Sequence, residues 1–394
     1  MRKTLCSVAL NLNGHQRKMY SQELLKPDGR LLTLYSRYPI VQGIQAPSPG
    51  NEPIQANPHL RWHPLRGEWV AYASHRQGRT FMPPPEYNPL APTIDPHFPT
   101  ELPQGQYDIA VFDNRFPSMT LAAHEPPASI VETLPANGAC EVVVFSQDAK
   151  ASLGSLELEH LDLLFSVWAD RTRVLGGHSQ IQYVLPFENR GLEMGVTLLH
   201  PHGQIYAYPF VPPVPARMQE RQQAFYQENR RGLLQDLIQK EIEDKQRIVY
   251  LDEEAIAFVP VCARYPYEVW IATIEPVATF IDLTAKQRRG LARALKTVTL
   301  KYDGLWNRTF PYLMAWFQAP TDGQPHPESH LHAEFYPPYR TPDKLKYLAG
   351  TELAAGMFAN DALPEEKASE LQAVSIMLEE EVQVLNSKFK IQNF

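Results

Sequence analysis

The chain has 394 residues, 44% of them hydrophobic and 21% charged, and a formal net charge of −7. This length predicts two domains with a sizeable core, and the composition is typical of a soluble globular chain with no run long enough to span a membrane. Because no long basic block offsets the negative charge, a large nucleic-acid-binding surface is disfavoured, whereas a small anion held by a few arginines is compatible with it.

The N-terminal segment, residues 1–56, has weak hydrophobic periodicity and ends in the proline-rich stretch "GIQAPSPGNEPIQANPH". This predicts a weakly structured N-terminal arm. Its apolar start spans about six residues, too few for the core of a signal peptide. Met19 is an alternative initiator, in which case residues 1–18 would be absent from the mature chain. The three cysteines form no Cys-x-x-Cys pair, so we expect no disulfide framework and a cytoplasmic location.

Short apolar and β-branched runs separated by turn residues predict strands after this arm. They include "RWHPLRGEWVAYA", "YDIAVFDN", "CEVVVFS" and "IQYVLPFEN". Between the last two, apolar residues recur at helical spacing and predict an amphipathic helix with the stripe Leu158, Leu161, Leu164, Phe165 and Trp168. A second helix, rich in Gln, Glu, Arg and Leu, is predicted over residues 214–245 as a connecting helix.

The second half of the chain repeats the order of elements of the first. "CEVVVFSQDAKASLGSLELEHLDLLFSVW" and "YEVWIATIEPVATFIDLTAKQRRGLARAL" both read as strand, loop and helix, "IQYVLPFENRG" parallels "FPYLMAWFQAP", and "HPHGQIYAYPF" parallels "HLHAEFYPP". We therefore predict a duplicated α+β fold, with a catalytic repeat over 57–213 and a degenerate repeat over 246–394. Only the first copy carries Pro-His-Gly-Gln, so chemistry is expected there.

The motif His200-Pro201-His202-Gly203-Gln204 is open to three interpretations: a nucleophile, a metal site or a surface turn. A neutral imidazole attacks reproducibly through one nitrogen when the other nitrogen's proton is held by an acceptor. Pro201 restricts the backbone, so the carbonyl of His200 is expected near Nδ1 of His202, which directs the chemistry to Nε2. Gly203 would make room for a phosphate, and Gln204 would donate to a phosphoryl oxygen. A metal would need further ligands.

The ordered motifs "RWHPLRGEWVAYASHRQGR", "FENRGLEMGVTLLHPHGQ" and "FYPPYRTPDKLKYLAGTELAAG" extend the match well beyond one motif. Together they resemble the galactose-1-phosphate uridylyltransferase family, the transferase branch of the histidine-triad superfamily. Leu198 and Leu199 depart from the Asn-Pro that usually precedes the motif. The resemblance implies two tandem histidine-triad-like repeats, each an antiparallel sheet packed with helices. It also implies ping-pong transfer of a uridylyl group between UDP-glucose and galactose 1-phosphate.

The resemblance assigns roles to residues along this chain. His202 matches the position of the uridylyl-histidine intermediate, and Gln204 the glutamine that bonds its phosphoryl oxygen, with His200 beside them. The nucleotide-binding positions match Arg76, Arg79, Asn114, Asn189, Gly195 and Thr197. Lys346 and Glu352 match hexose-side positions that the partner subunit contributes in the family, which implies a homodimer.

The metal sites of the family are poorly matched. Some members bind a structural zinc, and the corresponding positions here are Tyr87, Leu90, Ala149 and His200. A second metal site matches Met218, Phe317, His332 and Glu334. We therefore expect no metal cofactor, although His330, His332 and Glu334 lie close enough in sequence to leave a residual metal site open.

Substrate choice is also open at this point. The family follows Gly-Tyr-Glu with a glutamine that contacts the hexose, whereas here Thr351 follows Gly350 and Phe358 stands at the glutamine position. A related transferase or phosphorylase acting on another sugar nucleotide, such as ADP-glucose, is therefore an alternative. A nucleotide hydrolase would usually show three spaced histidines and a shorter chain. A non-catalytic nucleotide-sugar sensor would need neither a nucleophile nor a phosphoryl donor, so His202 and Gln204 argue against it.

Overall fold

The computed structural model describes residues 8–10 as a strand and residues 19–78, 83–84 and 87–378 with their side chains. Five α-helices occur in these ranges: α1 Leu158–Gly176, α2 Pro213–Asn229, α3 Leu233–Asp244, α4 Ala285–Leu305 and α5 Pro364–Ala373. The strands in the same ranges are β1 Val8–Leu10, β2 Met19–Leu25, β3 Leu31–Ser36, β4 His59–His63, β5 Glu68–Tyr72, β6 Ile109–Asp113, β7 Thr133–Pro135, β8 Ala139–Val144, β9 Tyr183–Arg190, β10 His202–Tyr208, β11 Ile248–Leu251, β12 Ala255–Phe258, β13 Val269–Thr273, β14 Tyr312–Phe317, β15 His332–Tyr336, β16 Tyr339–Thr341 and β17 Lys344–Leu345.

One antiparallel sheet dominates the described part of the chain. Its 12 strands run in the order β1-β2-β3-β6-β8-β10-β9-β14-β15-β13-β12-β11. A second, three-stranded sheet has the strand order β5-β4-β7, and β16 pairs with β17. The predicted α+β class is confirmed, but the two expected sheets are fused into one because β9 of the first repeat pairs with β14 of the second.

The strand order confirms the internal duplication. Outward from the β9–β14 junction, the first repeat continues with β10, β8 and β6, and the second continues with β15, β13 and β12. The sequence comparison had matched the same pairs: β8 with β13, β9 with β14 and β10 with β15. The long helices α1 and α4 follow β8 and β13 in their repeats and pack against each other, linked by ion pairs of Arg288 with Asp162 and of Arg289 with Glu159.

The main hydrophobic core lies between this sheet and the pair α1 and α4. The predicted stripe on α1 is buried there, with Leu161, Leu164 and Phe165 fully inaccessible. Residues of both repeats fill the same cluster, including Trp168 from α1 and Trp316 from β14. The helical spacing therefore predicted both the helix and the face that it buries.

Two predicted elements are wrong in detail. The arm over residues 1–56 was expected to be weakly structured, yet β2 and β3 form a hairpin that pairs with β6 at the edge of the large sheet. The connecting helix over 214–245 is two helices, because Arg230 adopts a left-handed conformation with φ of 58° and ends α2 before Leu233 begins α3. Among the described residues, no helix combines the length and apolarity that crossing a bilayer requires.

Candidate active site

His202 is the first residue of β10, at the point where the chain enters the sheet between β8 and β9. Its Nδ1 lies 2.7 Å from the carbonyl oxygen of His200, as the Pro201 argument predicted. With the Nδ1 proton held by that carbonyl, the nucleophilic lone pair of the ring resides on Nε2. The sequence thus places the imidazole in a defined orientation and tautomer.

The ring of His200 is fixed in turn by two contacts. Its Nε2 lies 2.7 Å from the Ser146 carbonyl oxygen, and its Nδ1 lies 2.9 Å from Nδ2 of Asn88. His200 is buried, and this burial lowers its pKa below the usual value, so the ring is neutral near pH 7. His200 therefore supports His202 through its backbone carbonyl.

Gly203 serves packing, which corrects the expectation that it makes room for a phosphate. A Cβ at this position would lie 2.7 Å from Cζ of Phe145 and 2.8 Å from the Phe187 carbonyl oxygen. Side chains alternate along β10, so Gly203 faces the core while His202 and Gln204 share the opposite face. The glycine lets the strand approach Phe145, and the two functional side chains remain together.

Two cavities meet at His202. The Arg190 cavity, about 410 Å³, is lined by polar residues that include Lys150, Asn189, Arg190 and Asp303. The Phe116 cavity, about 170 Å³, is lined by Tyr87, Leu90, Asn114, Arg115, Phe116, Val142, Thr197 and Gln204, among others. His202 and Leu198 border both cavities. A reacting group placed at His202 can therefore extend to either side.

Most predicted nucleotide positions are brought to this cleft. Asn114, Thr197 and Gln204 line the Phe116 cavity, and Asn189 lines the Arg190 cavity. Oδ1 of Asn189 is buried and has no hydrogen-bond partner in the described structure, which leaves an acceptor for a ligand. Gly195 lines neither cavity, but its positive φ of 73° shapes the turn that leads to Thr197.

Of the two arginines predicted to bind the nucleotide, only Arg76 lies within the described residues. Arg76 lies in the short turn of helix Ser74–Gly78, and its guanidinium donates to the Phe116 carbonyl oxygen over 2.7 Å. It also interacts with the Tyr206 hydroxyl and does not line either cavity. Arg79 lies outside the described residues.

Lys346 and Glu352 are not brought to His202 within one chain. Lys346 is buried, and its Nζ lies 3.4 Å from Oε1 of Glu352 and also donates to the Ala359 carbonyl oxygen. Neither residue lines the Arg190 cavity or the Phe116 cavity. The two residues pair with each other, away from both cavities of this chain.

Four charged residues of the Arg190 cavity, including Lys150, were not assigned from the sequence. Glu188 is buried beneath it, and burial raises the pKa of its carboxyl to about 7, although Arg190 and the Tyr312 hydroxyl act in the opposite direction. Arg190 and Asp303 form a two-bond ion pair, at 2.8 and 2.9 Å. Glu188 and Arg190 stand in the quoted "FENRG" stretch, so a signal existed, whereas Asn88 lies between the zinc positions Tyr87 and Leu90 and was assigned no role.

The residues at the family's metal positions do not form a ligand set. At the zinc positions, Nδ1 of His200 is hydrogen-bonded to the Asn88 amide, and Leu90 is buried in a hydrophobic cluster. The Tyr87 hydroxyl donates to the Pro99 carbonyl oxygen over 3.2 Å. At the second site, Phe317 stacks on the ring of His332 with centroids 5.5 Å apart. Glu334 there accepts from Arg264 over 2.6 Å. Within the described ranges, no group of three or more His, Cys, Asp or Glu side chains is placed to hold a metal ion.

The fold and the site together define a class: duplicated histidine-triad-like proteins in which one repeat presents an oriented histidine at the head of a strand. Comparison with models of known protein families identifies the family within this class. The model for the galactose-1-phosphate uridyl transferase N-terminal domain matches residues 51–212, and that for the C-terminal domain matches residues 218–383. The chain belongs to the galactose-1-phosphate uridylyltransferase family.

Individual relatives agree with this family. Galactose-1-phosphate uridylyltransferase of Thermotoga maritima is 37% identical over 323 residues, covering 80% of this chain and 98% of the relative. That of Rattus norvegicus is 30% identical and covers 80% of this chain and 87% of its own. A solved uridylyltransferase structure aligns with a TM-score of 0.73 at 31% identity, covering 80% of this chain and 98% of that one. An ADP-glucose phosphorylase from Arabidopsis thaliana, with TM-score 0.61 and 21% identity over 81% of this chain and 100% of that one, shares the fold.

Proposed function

We propose that this chain exchanges a uridylyl group between UDP-glucose and galactose 1-phosphate, with His202 as the nucleophile. The observation that carries the proposal is the 2.7 Å contact between Nδ1 of His202 and the His200 carbonyl, at the junction of two cavities. This contact selects the tautomer that attacks through Nε2. Membership in the family supplies the substrate pair.

The proposed reaction consists of two displacements at one phosphorus atom. Nε2 of His202 forms a bond to the α-phosphorus of UDP-glucose as the bond to the bridging oxygen breaks, and the electron pair leaves on glucose 1-phosphate. A phosphate oxygen of galactose 1-phosphate then attacks the same phosphorus, and the P–N electron pair returns to Nε2 as UDP-galactose leaves. The proton stays on Nδ1 in both steps, and its hydrogen bond to the His200 carbonyl stabilises the charged ring.

The two cavities suit the two ends of a sugar nucleotide. Tyr87, Leu90 and Phe116 give the Phe116 cavity the aromatic and apolar surface that a nucleoside base packs against. Lys150, Asn189 and Arg190 give the Arg190 cavity donors and charge for a sugar phosphate. Gln204 lies beside His202 on the same strand face, where its amide can donate to a non-bridging oxygen as charge develops.

Intact-protein mass spectrometry tests the proposal directly. Wild type incubated with UDP-glucose is expected to gain the mass of a uridylyl group and to lose it on addition of galactose 1-phosphate, whereas His202→Gln gains none. His332→Gln is the matched control, because His332 makes the same Nδ1 contact, 2.8 Å to the His330 carbonyl, in the second repeat. An adduct on His202→Gln would overturn the role of His202. An adduct that forms with ADP-glucose and not with UDP-glucose would overturn the choice of base.

We also propose that the reaction needs no metal. At the zinc positions, the Asn88 amide is hydrogen-bonded to Nδ1 of His200, and Leu90 is buried in a hydrophobic cluster. At the second metal position, Glu334 forms an ion pair with Arg264. Neither set of side chains therefore offers the donor atoms that a metal needs. Dialysis against a strong chelator is expected to leave adduct formation and the melting temperature unchanged. Loss of either, with recovery on adding zinc or iron, would contradict this expectation.

The active form is proposed to be a cytoplasmic homodimer. Lys346 and Glu352, which the family places near the hexose of the neighbouring subunit, line neither cavity of their own chain. Mixing His202→Gln chains with Lys346→Met chains is therefore expected to restore part of the exchange activity that each variant lacks alone. No recovery in mixtures that form mixed dimers would show that Lys346 does not act across an interface.

A further inference from the structure

A continuous series of hydrogen bonds leads from Asn88 to His202. The backbone N–H of Leu90 donates to Oδ1 of Asn88 over 3.0 Å, and Nδ2 of Asn88 lies 2.9 Å from Nδ1 of His200. Nε2 of His200 lies 2.7 Å from the Ser146 carbonyl, and the His200 carbonyl lies 2.7 Å from Nδ1 of His202. Each of these contacts is a single hydrogen bond with one donor and one acceptor.

The Leu90 N–H fixes the orientation of the Asn88 amide, and the Ser146 carbonyl, which can only accept, agrees with it. Because the Leu90 N–H can only donate, Oδ1 of Asn88 must be the oxygen, and Nδ2 must be the donor toward His200. Nδ1 of His200 then accepts, so the ring proton lies on Nε2 and donates to the Ser146 carbonyl. A buried, neutral ring held at both nitrogens keeps its own backbone carbonyl in one place.

We propose that Asn88 is a positioning residue for the nucleophile, acting through the ring of His200. The amide fixes the tautomer and tilt of His200, and the His200 carbonyl in turn fixes Nδ1 of His202. The inference rests on the proposed covalent role of His202, because positioning matters most for the step in which Nε2 meets the phosphorus.

The second repeat is a natural comparison that lacks this residue. There, Nδ1 of His332 lies 2.8 Å from the His330 carbonyl, and Nε2 of His330 lies 2.9 Å from the Thr273 carbonyl, as in the first repeat. However, Nδ1 of His330 is buried with no hydrogen-bond partner in the described structure. The duplication has thus preserved the carbonyl contacts in both halves, and the amide contact is present only in the half that has the Gly-Gln motif.

Asn88→Asp tests the positioning of His200 while it keeps the hydrogen bond that holds the Asn88 loop. It keeps an oxygen for the Leu90 N–H but replaces the donor toward His200 by a second acceptor, so Nδ1 of His200 must carry a proton. Asn57→Asp is the matched control. Asn57 has the same arrangement elsewhere, accepting from the His124 N–H and donating to the His124 carbonyl, both over 2.9 Å.

The first measurement is the single-turnover rate of adduct formation with UDP-glucose. Asn88→Asp is expected to lower this rate by about 10–100-fold, the size of effect known for groups that orient a functional histidine. The KM for UDP-glucose should change by less than about threefold, because Asn88 is not proposed to touch substrate. Asn57→Asp should react like wild type. A wild-type rate for Asn88→Asp, or a loss confined to KM, would overturn the proposal.

The second measurement does not depend on activity. Histidine ¹⁵N NMR, with the His200 signals identified by their loss in His200→Gln, is expected to show the Nε2–H tautomer in wild type and a protonated Nδ1 in Asn88→Asp. An unchanged His200 tautomer overturns the role of Asn88. If wild type forms no adduct at all, the covalent function fails, and the tautomer change alone still decides whether Asn88 orients His200.

Discussion

At the scale of single residues, Glu188 makes folding stability depend on pH beside the cavity that His202 borders. Its carboxyl is buried under the Arg190 cavity, and burial raises its pKa from 4.5 to about 7. The native state therefore holds this proton more tightly than the unfolded state does. The stability that this provides is fully present below pH 4.5 and is lost as pH rises through 7.

Glu188→Gln is expected to remove that pH dependence. In wild type without ligand, the free energy of unfolding should fall by about 3 kcal/mol between pH 4.5 and pH 8 relative to the variant, from the shift of the Glu188 pKa. Urea denaturation across this range measures the difference. Glu220→Gln, at an exposed position on α2, should keep the wild-type slope. Parallel curves for wild type and Glu188→Gln would disprove ionisation of Glu188 in this range.

Sequence reasoning at this scale succeeded where the relevant contact is local. The Nδ1 contact of His202 is made to a residue two positions away, so the His-Pro-His spacing was enough to predict it. Asn88 contacts His200 across 112 positions, and Glu188 accepts from Tyr312 across 124. Nothing in the neighbouring sequence reveals partners so distant, so these contacts emerged only from the structure.

At the scale of elements, the β2–β3 hairpin is joined to the catalytic repeat by buried charges. Lys26 and Arg30 both contact Oε2 of Glu101, at 2.8 and 2.7 Å, and Asp28 pairs with Arg30. Glu101 also lines the Phe116 cavity, as does Pro49, which follows the hairpin. Residues 1–50, which lie outside the matched family domains, therefore include part of the wall of the proposed nucleoside site.

Replacing Glu101 by Gln is expected to destabilise the chain by about 3–5 kcal/mol, because two buried cations lose their shared partner. The free energy of unfolding from urea titration gives this number. Glu68→Gln is the matched control, since its pair with Arg66 is exposed and 3.8 Å long and should contribute at most about 1 kcal/mol. Equal effects of the two substitutions would show that the Glu101 network does not stabilise the hairpin.

The errors in the predicted elements have physical causes. The long stripe on α1 buries one face over 19 residues, so its periodicity was unambiguous. The strands β2 and β3 have only seven and six residues, and the proline-rich stretch after them masked their signal. The break between α2 and α3 depends on the left-handed conformation of Arg230, a residue type that carries no turn signal.

At the scale of the whole molecule, the duplicated halves share one sheet and one core. An aromatic cluster crosses the boundary: Phe165 and Trp168 of α1 meet Phe280 and Trp316 of the second repeat, with centroids 5.2–6.2 Å apart. The repeat pattern in the sequence predicted both halves and the order of their elements along the chain. It could not predict their fusion, because either a separate or a continuous sheet satisfies the same alternation of residues.

Phe280→Ala tests whether the halves unfold together. The ring is buried against Trp168 of one repeat and Trp316 of the other, so its loss should cost about 3–5 kcal/mol. Because both repeats lose contacts of one shared core, the slowest-exchanging amides of β8 and β13 should lose equal protection, measured by hydrogen exchange. Leu65→Ala, at a position 93% exposed, should leave both strands unchanged. Lost protection in β13 alone would mean that the repeats fold independently despite the β9–β14 pairing.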